Sequence, residues 1–249
     1  MSRAALRVGV LGGMGPAATI DLMGAVLRLS KGAVEQDGLR LLVDSNPAVP
    51  DRNEALLRGG PSPGPTLAAM ARGLETAGAD FLVMSCNTAH AFQYDIERAV
   101  RIPFVSMIEE AVAAAAAAAD PGAAVGLLAA DGCLQADLYG PQLARRGLSC
   151  VTLEAPDQAR FMQLVYAIKR GDLSLGVSDA MAALAERLRQ CGAQVIIAAC
   201  TEAPLVLHEG MTDAPLIDST GALARAIVDY ARHDRPLPPP FSETEVGRA

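Results

Sequence analysis

The stretch DFLVMSC, residues 80–86, is a short apolar run that ends in a cysteine and is followed by Asn87 and Thr88. A second stretch of the same form, QVIIAAC at residues 194–200, is followed by Thr201. Each is preceded, at a nearly equal distance, by a glycine-containing apolar run, RVGVLGG around Gly9 and AVGLLAA around Gly126. This weak repeat predicts two similar halves, each with one cysteine at a matching position.

Apolar runs of this kind alternate with longer Ala- and Leu-rich stretches along the whole chain. The strand candidates are residues 6–11, 39–44, 80–84, 124–129, 149–153 and 194–198, with weaker ones at 104–106 and 215–217. The helix candidates are residues 16–29, 66–77, 88–100, 108–119, 134–146, 158–169, 179–190, 202–208 and 221–233. Unalternating apolar strands are typical of parallel sheets covered on both faces, so the pattern predicts three-layer α/β architecture.

Composition excludes several classes of protein. Of the 249 residues, 51% are hydrophobic, which argues against a disordered chain. The net charge of −7, without a basic cluster, argues against a nucleic-acid partner. No apolar run reaches the about 18 residues of a membrane span, and the first residues do not resemble a signal peptide. Five cysteines without a CxxC pair predict a cytoplasmic protein with reduced thiols.

Cys86 and Cys200 both fall at the carboxyl end of a predicted strand, where ligands bind in open parallel sheets. Each also precedes a predicted helix, whose first N–H groups favour an anion or a thiolate. The candidate donors of such N–H groups are Asn87, Thr88, Ala89 and Thr201. If the halves face each other, the two thiols flank one cleft and could remove a proton from one face of a carbon and return one to the other.

Simpler interpretations remain open at this point. Either cysteine could be a small buried hydrophobic residue, which is the expectation for Cys133, Cys150 and Cys191. The glycine-rich turn at residues 12–15 lacks the GxGxxG spacing of a nucleotide site. His90 could orient the helix start or pair with a thiolate, and Glu202 could cap a helix or contact a substrate amine.

Five segments resemble the aspartate/glutamate racemase family, especially its aspartate racemase branch. They are VGVLGGMGPAATIDLMGAV at residues 8–26, VPDRNEAL at 49–56, MSCNTAHAF at 84–92, VYAIKRGDL at 165–173 and AACTEAPLVL at 198–207. The CNTxH and CTE segments together are the specific part of the resemblance.

The resemblance implies a racemase that uses neither pyridoxal phosphate nor a metal, commonly as a homodimer. It implies that Cys86 and Cys200 are catalytic and that Arg52 and Lys169 bind a carboxylate. The residues that match the family's substrate-lining positions are Met14, Asn87, Thr88 and Thr201. The residue types agree: Arg52, expected in a Pro-rich loop, can hold a carboxylate with two hydrogen bonds, and Lys169 is one of only two lysines.

Together these observations predict an α/β protein of two pseudo-symmetric three-layer domains. Each domain would hold a mainly parallel four-stranded sheet, with the active site in the cleft between them. The first domain would comprise residues 1–103 and about 214–235, the second residues 104–213, and residues 236–249 would form an extended tail.

The function predicted is cofactor-independent racemisation of an acidic amino acid, aspartate and possibly glutamate, by two cysteines. The alternatives are an isomerase or racemase of another small acid or a hydantoin, and a non-catalytic thiol sensor or small-acid binding protein. No membrane or nucleic-acid partner is expected.

Overall fold

The computed structural model describes residues 4–242 and contains two parallel four-stranded sheets, each with helices against it. The strands of the first sheet are β1 (Val8–Gly12), β2 (Leu41–Ser45), β3 (Phe81–Met84) and β4 (Phe104–Val105). Those of the second are β5 (Ala124–Leu127), β6 (Ser149–Thr152), β7 (Ala193–Ala198) and β8 (Leu216–Asp218). The predicted fold class, two α/β halves with four-stranded parallel sheets, is confirmed.

Ten α-helices connect and cover these strands within the described residues. They are α1 (Pro16–Leu29), α2 (Arg52–Arg58), α3 (Gly64–Thr76), α4 (Gln93–Glu97), α5 (Met107–Ala118), α6 (Asp131–Gln135), α7 (Gly140–Ala144), α8 (Ala155–Lys169), α9 (Leu175–Gln190) and α10 (Ser219–Ala231). Short 3-10 turns at Glu35–Asp37, Thr88–Phe92 and Ala203–Leu205 complete the regular structure.

The two sheets have the same topology. Their strand orders are β2-β1-β3-β4 and β6-β5-β7-β8, so β1 and β5 occupy equivalent central places. A Cβ at Gly9 in β1 would lie 2.6 Å from Leu82 Cδ2, and one at Gly126 in β5 would lie 3.0 Å from Ala193 Cβ. Both glycines therefore permit the same close approach of neighbouring elements, which explains why the repeat is visible in the sequence.

Each half has two hydrophobic clusters, as three layers require. In the first half, Val8 and Phe81 belong to one cluster and Leu11 and Leu82 to another. Neighbouring residues of one strand thus contribute to different clusters, because successive side chains point to opposite faces of a sheet. The central strands are buried on both sides, in agreement with their unalternating apolar sequence.

The chain crosses between the halves twice. It leaves the first sheet after β4 for α5, and leaves the second sheet after β8 for α10. Helix α10 packs against α1 and α5 and joins the cluster that contains Val8 and Phe81. The sheet borders therefore lie after Val105 and Asp218, two and five residues beyond the predicted boundaries at 103 and 213, while the division into domains stays a proposal.

The predicted tail lies partly outside the described residues. Residues 236–242 contain no helix or strand. Leu237 nevertheless packs against the cluster that includes α10, and the Phe241 ring contacts the edge of Tyr94 at 5.5 Å between centroids. This part of the tail is held at two points.

Candidate active site

A cleft lies where the carboxyl ends of β1, β3 and β7 approach one another. Its lining comprises Met14, Asp51, Arg52, Asn53, Cys86, Asn87, Thr88, Ala130, Val165, Tyr166, Lys169, Cys200, Thr201 and Glu202. The cleft is narrow, with a free volume of about 30 Å³, whereas a single water requires about 10–15 Å³.

Cys86 follows β3 and is buried, with 6% of its surface exposed. Its backbone carbonyl accepts a hydrogen bond from His90 Nδ1 at 2.8 Å, while His90 Nε2 accepts one from the Met107 N–H at 3.1 Å. Because Nε2 is an acceptor, the imidazole is neutral with its proton on Nδ1. Burial lowers the pKa of His90 to about 4, which agrees with the neutral ring. His90 thus fixes the backbone at Cys86 and does not contact its thiol.

Cys200 follows β7 and is equally buried, but its thiol has a polar partner. The Cys200 S–H donates to Glu202 Oε2 at 3.2 Å, and the Thr201 hydroxyl donates to the same oxygen at 3.5 Å. Burial, and then the negative charge of Glu202, raise the pKa of Cys200 well above its usual value. The second thiol is therefore held as S–H.

Lys169, the last residue of α8, forms an ion pair with Glu202, at 3.0 Å between Nζ and Oε1. Burial lowers the pKa of Lys169, but the charge of Glu202 and its hydrogen bond outweigh this effect and raise the pKa overall. The ammonium is therefore charged and paired with Glu202 at the edge of the cleft.

Arg52 begins α2, whose N-cap Asp51 accepts a hydrogen bond from the Glu54 N–H. Its guanidinium donates to the carbonyl oxygens of Val49, Pro50 and Met14 at 3.1–3.4 Å. Arg52 Nε is buried and has no acceptor within residues 4–242. The expectation that Arg52 lies in a loop is wrong, because Asp51 caps a helix directly after the proline-rich segment.

A buried network joins the halves behind the cleft. The Tyr139 hydroxyl donates to Asn87 Oδ1 at 2.6 Å, and Asn87 Nδ2 donates to Ser219 Oγ at 3.1 Å. The Ser219 hydroxyl in turn donates to the Ala198 carbonyl at 2.7 Å, next to the end of β7. Asn87 therefore connects the strand end that carries Cys86 with the one that carries Cys200.

The predicted site residues come together with one exception. Met14, Arg52, Cys86, Asn87, Thr88, Lys169, Cys200 and Thr201 all line the cleft. Ala89 is not among the lining residues and is fully buried in a hydrophobic cluster of the first half. No group of three or more His, Cys, Asp or Glu side chains placed to hold a metal ion occurs in the part of the chain described.

The α-helices predicted after the two cysteines both begin as 3-10 turns, and only the first continues as a short α-helix, α4. Thr88–Phe92 and Ala203–Leu205 are too short to carry the dipole expected of a helix N-terminus. In the second turn, Pro204 has no N–H to donate. Neighbouring side chains therefore determine the environment of each sulfur atom. The contact between Glu202 and Cys200 was not predicted from the sequence.

The family model for Asp/Glu/hydantoin racemases matches residues 11–227, most of the chain. The chain belongs to this family. Membership confirms the resemblance found in the CNTxH and CTE segments and supports an amino-acid racemase enzyme, as predicted.

Two relatives of this racemase family member are themselves named as racemases. It is 30% identical over 155 residues to the broad specificity amino-acid racemase RacX of Bacillus subtilis, covering 62% of this chain and 66% of that protein. It is 28% identical over 163 residues to a glutamate racemase of Koribacter versatilis, covering 62% and 54%. Each match thus spans at most about two-thirds of the curated relative.

Solved structures match over nearly the whole chain. The aspartate racemase of Picrophilus torridus is 27% identical with a TM-score of 0.81, covering 94% of this chain and 96% of that one. The glutamate racemase isoform RacE1 of Bacillus anthracis shares the fold at 17% identity and a TM-score of 0.63, covering 95% and 85%. Within residues 4–242, no helix is long and apolar enough to cross a membrane.

Proposed function

We propose that this protein is a cofactor-independent racemase of aspartate, with glutamate as a second substrate, and that Cys86 and Cys200 are its catalytic residues. The main support is the placement of two buried thiols at equivalent strand ends of two similar halves, both lining one cleft. The similarity to the Picrophilus torridus aspartate racemase supports the choice of substrate.

In the proposed reaction, the thiolate of Cys86 takes the α-proton from one enantiomer and becomes a thiol. The thiol of Cys200 gives its proton to the opposite face of the carbanion and becomes a thiolate. For the other enantiomer the two cysteines exchange roles, so no proton is gained or lost overall. The S–H···O hydrogen bond to Glu202 supports Cys200 as the acid at rest.

Two cations support an acidic substrate. Arg52 and Lys169 line the cleft of a protein whose net charge is −7, so they provide local attraction for a side-chain carboxylate. Arg52 Nε is buried without an acceptor in the described part of the chain, so a ligand carboxylate could satisfy it. Asn87, Thr88 and Thr201 would line the bound amino acid together with Met14, and backbone N–H groups with the Thr hydroxyls would stabilise charge on the α-carboxylate.

A test of this function is incubation of L-aspartate, L-glutamate, L-alanine and a 5-substituted hydantoin with the protein in D₂O. Chiral chromatography and proton NMR would follow racemisation and loss of the α-proton signal. The proposal expects D-aspartate with deuterium at the α-carbon, at a rate above that of alanine. Faster turnover of the hydantoin than of aspartate would show that the proposed substrate is wrong. Absence of deuterium exchange with every substrate would favour a thiol sensor or a small-acid binding protein.

We further propose a homodimer in the cytoplasm. Free thiols at all five cysteines support a reducing compartment. Apolar side chains on and near α1 support an interface, since Ile20 is 70%, Leu27 64% and Val34 57% exposed. Light scattering coupled to size-exclusion chromatography would test the dimer, and a monomer at micromolar concentration would contradict it.

A further inference from the structure

We propose that Glu202 is a positioning residue that holds the proton on Cys200 and thereby makes the two cleft thiols unequal before substrate binds. The inference rests on the proposed two-cysteine function and deepens it. It identifies Cys200, which follows β7, as the acid before substrate binds, because of the Glu202 side chain two residues further along the chain.

The first argument is the contact itself. Glu202 Oε2 lies 3.2 Å from Cys200 Sγ, and a carboxylate oxygen can only accept a hydrogen bond. The contact is therefore favourable only while sulfur carries the proton. A thiolate at the same place would face a negative charge at hydrogen-bond distance, in a region where little water screens the repulsion.

The second argument is that an ion pair fixes the Glu202 side chain in this position. Its side chain is only 6% exposed, and its other oxygen, Oε1, pairs with Lys169 Nζ at 3.0 Å. A buried carboxylate requires such a counter-charge. The three groups thus form a chain, Lys169–Glu202–Cys200, in which each oxygen of the carboxylate has a different partner.

The third argument is the contrast with Cys86. Within residues 4–242, no side chain forms a hydrogen bond with Cys86 Sγ, and the nearby His90 bonds to the Cys86 carbonyl instead. No carboxylate therefore accepts a hydrogen bond from this sulfur among the described residues. Turnover that uses Cys200 as the acid leaves its thiolate beside Glu202, so the two reaction directions should depend differently on pH.

The test is a pH titration of the Cys200 Cβ signal by NMR in protein labelled with [3-¹³C]cysteine, assigned with Cys200→Ser. In Glu202→Gln the carboxylate charge is lost and Lys169 is left unpaired, and both changes favour the thiolate. The midpoint should fall by at least about one pH unit, since the like charge is removed and an unpaired opposite charge within about 4–6 Å typically shifts a pKa by 1–3 units. Glu202→Asp, which keeps the charge, should return the Cys200 midpoint part of the way to its wild-type value.

Glu209→Gln is the matched control, because Glu209 is exposed and outside the cleft. It should leave the Cys200 midpoint unchanged. Equal midpoints in the wild type and Glu202→Gln would overturn the inference even if the protein racemises aspartate. A lowered midpoint in a protein without racemase activity would instead refute the proposed function and retain the role of Glu202 toward the thiol.

A second measurement does not depend on the folding of any Glu202 variant. The infrared difference spectrum of wild type minus Cys200→Ser isolates the S–H stretch of Cys200. A hydrogen bond to a carboxylate should move this band to lower frequency than that of the exposed Cys191 thiol, isolated in the same way with Cys191→Ser. A band at the frequency of Cys191 would overturn the inference.

Discussion

The ends of β3 and β7 occupy equivalent places in two sheets of the same strand order, yet they surround their cysteines differently. Beyond β3, polar contacts involve the backbone at Cys86, through His90. Beyond β7, they involve the thiol of Cys200 directly, through Glu202. Duplicated topology can therefore place two like groups on one cleft, while single side chains make them chemically distinct.

The largest effect should follow loss of either thiol. Cys86→Ser and Cys200→Ser should each lower kcat/KM for aspartate racemisation by about 10²–10⁴-fold, the usual contribution of a general acid or base. Chiral chromatography measures the rate. Cys191→Ser, at an exposed helix end, is the control and should keep wild-type turnover. Near-normal activity in either cleft variant would show that the two strand ends do not act as a pair.

His90, which forms a hydrogen bond with the backbone at Cys86, provides the next test of this comparison. With a pKa near 4 in the folded protein and about 6.5 in the unfolded chain, the unfolded state binds the proton first as the pH falls. The contribution of His90 to stability is therefore complete above pH 6.5 and is lost between pH 6.5 and about 4. From about 1.4 kcal/mol per pKa unit, the loss is about 3 kcal/mol.

Urea unfolding at pH 7, 5.5 and 4 measures this dependence. His90→Asn should be less stable than the wild type at pH 7 and should lack this part of the pH dependence. His208→Asn, at an exposed position, should follow the wild-type curve. If His90→Asn and the wild type lose stability in parallel, His90 is not a buried neutral residue.

Arg52 tests whether the cleft recognises an acidic side chain. Arg52→Ala should raise KM for aspartate by about 10–100-fold, because a hydrogen bond to a charged group contributes about 1.5–3 kcal/mol. KM for alanine should change much less. Arg58→Ala, at the exposed opposite end of α2 where the side chain pairs with Glu54, is the matched control. Equal effects on aspartate and alanine would remove Arg52 from side-chain recognition.

The smallest effects should follow substitution of two glycines, one at the contact between the halves and one away from it, and they concern stability. A Cβ at Gly132 in α6 would lie 2.7 Å from Asn53 Oδ1, which now accepts a hydrogen bond from the Gly132 N–H. Gly132→Ala should destabilise the protein by about 1–3 kcal/mol through overpacking. Gly73→Ala, in α3 with open space around it, should stabilise by about 0.5–1 kcal/mol. Thermal unfolding measures both, and shifts of the same sign would contradict this account.

Sequence patterns predicted all eight strands, because short apolar runs bounded by polar residues are a local signal. They predicted one continuous helix at residues 134–146, where the structure has two short helices, α6 and α7, separated by residues 136–139. They missed α2, although Asp51 followed by Glu54 is a typical helix start.

Site residues were predictable where the resemblance provided a motif or where strand ends converge. The arrangement of Glu202 was not, since it depends on Lys169, which reaches the cleft from α8. An ion pair between distant segments leaves no periodic trace in a sequence. The narrow width of the cleft likewise follows from packing between the halves.

The return of α10 to the first sheet affects how the protein is made. Leu223, Ile227 and Tyr230 belong to the same hydrophobic cluster as Val8 and Phe81, so the half that the ribosome synthesises first lacks part of its interior until α10 has been made. Strands β5 to β8 and their helices are synthesised in one uninterrupted stretch. We therefore expect the second half to fold first on the ribosome, reversing the usual N-to-C order.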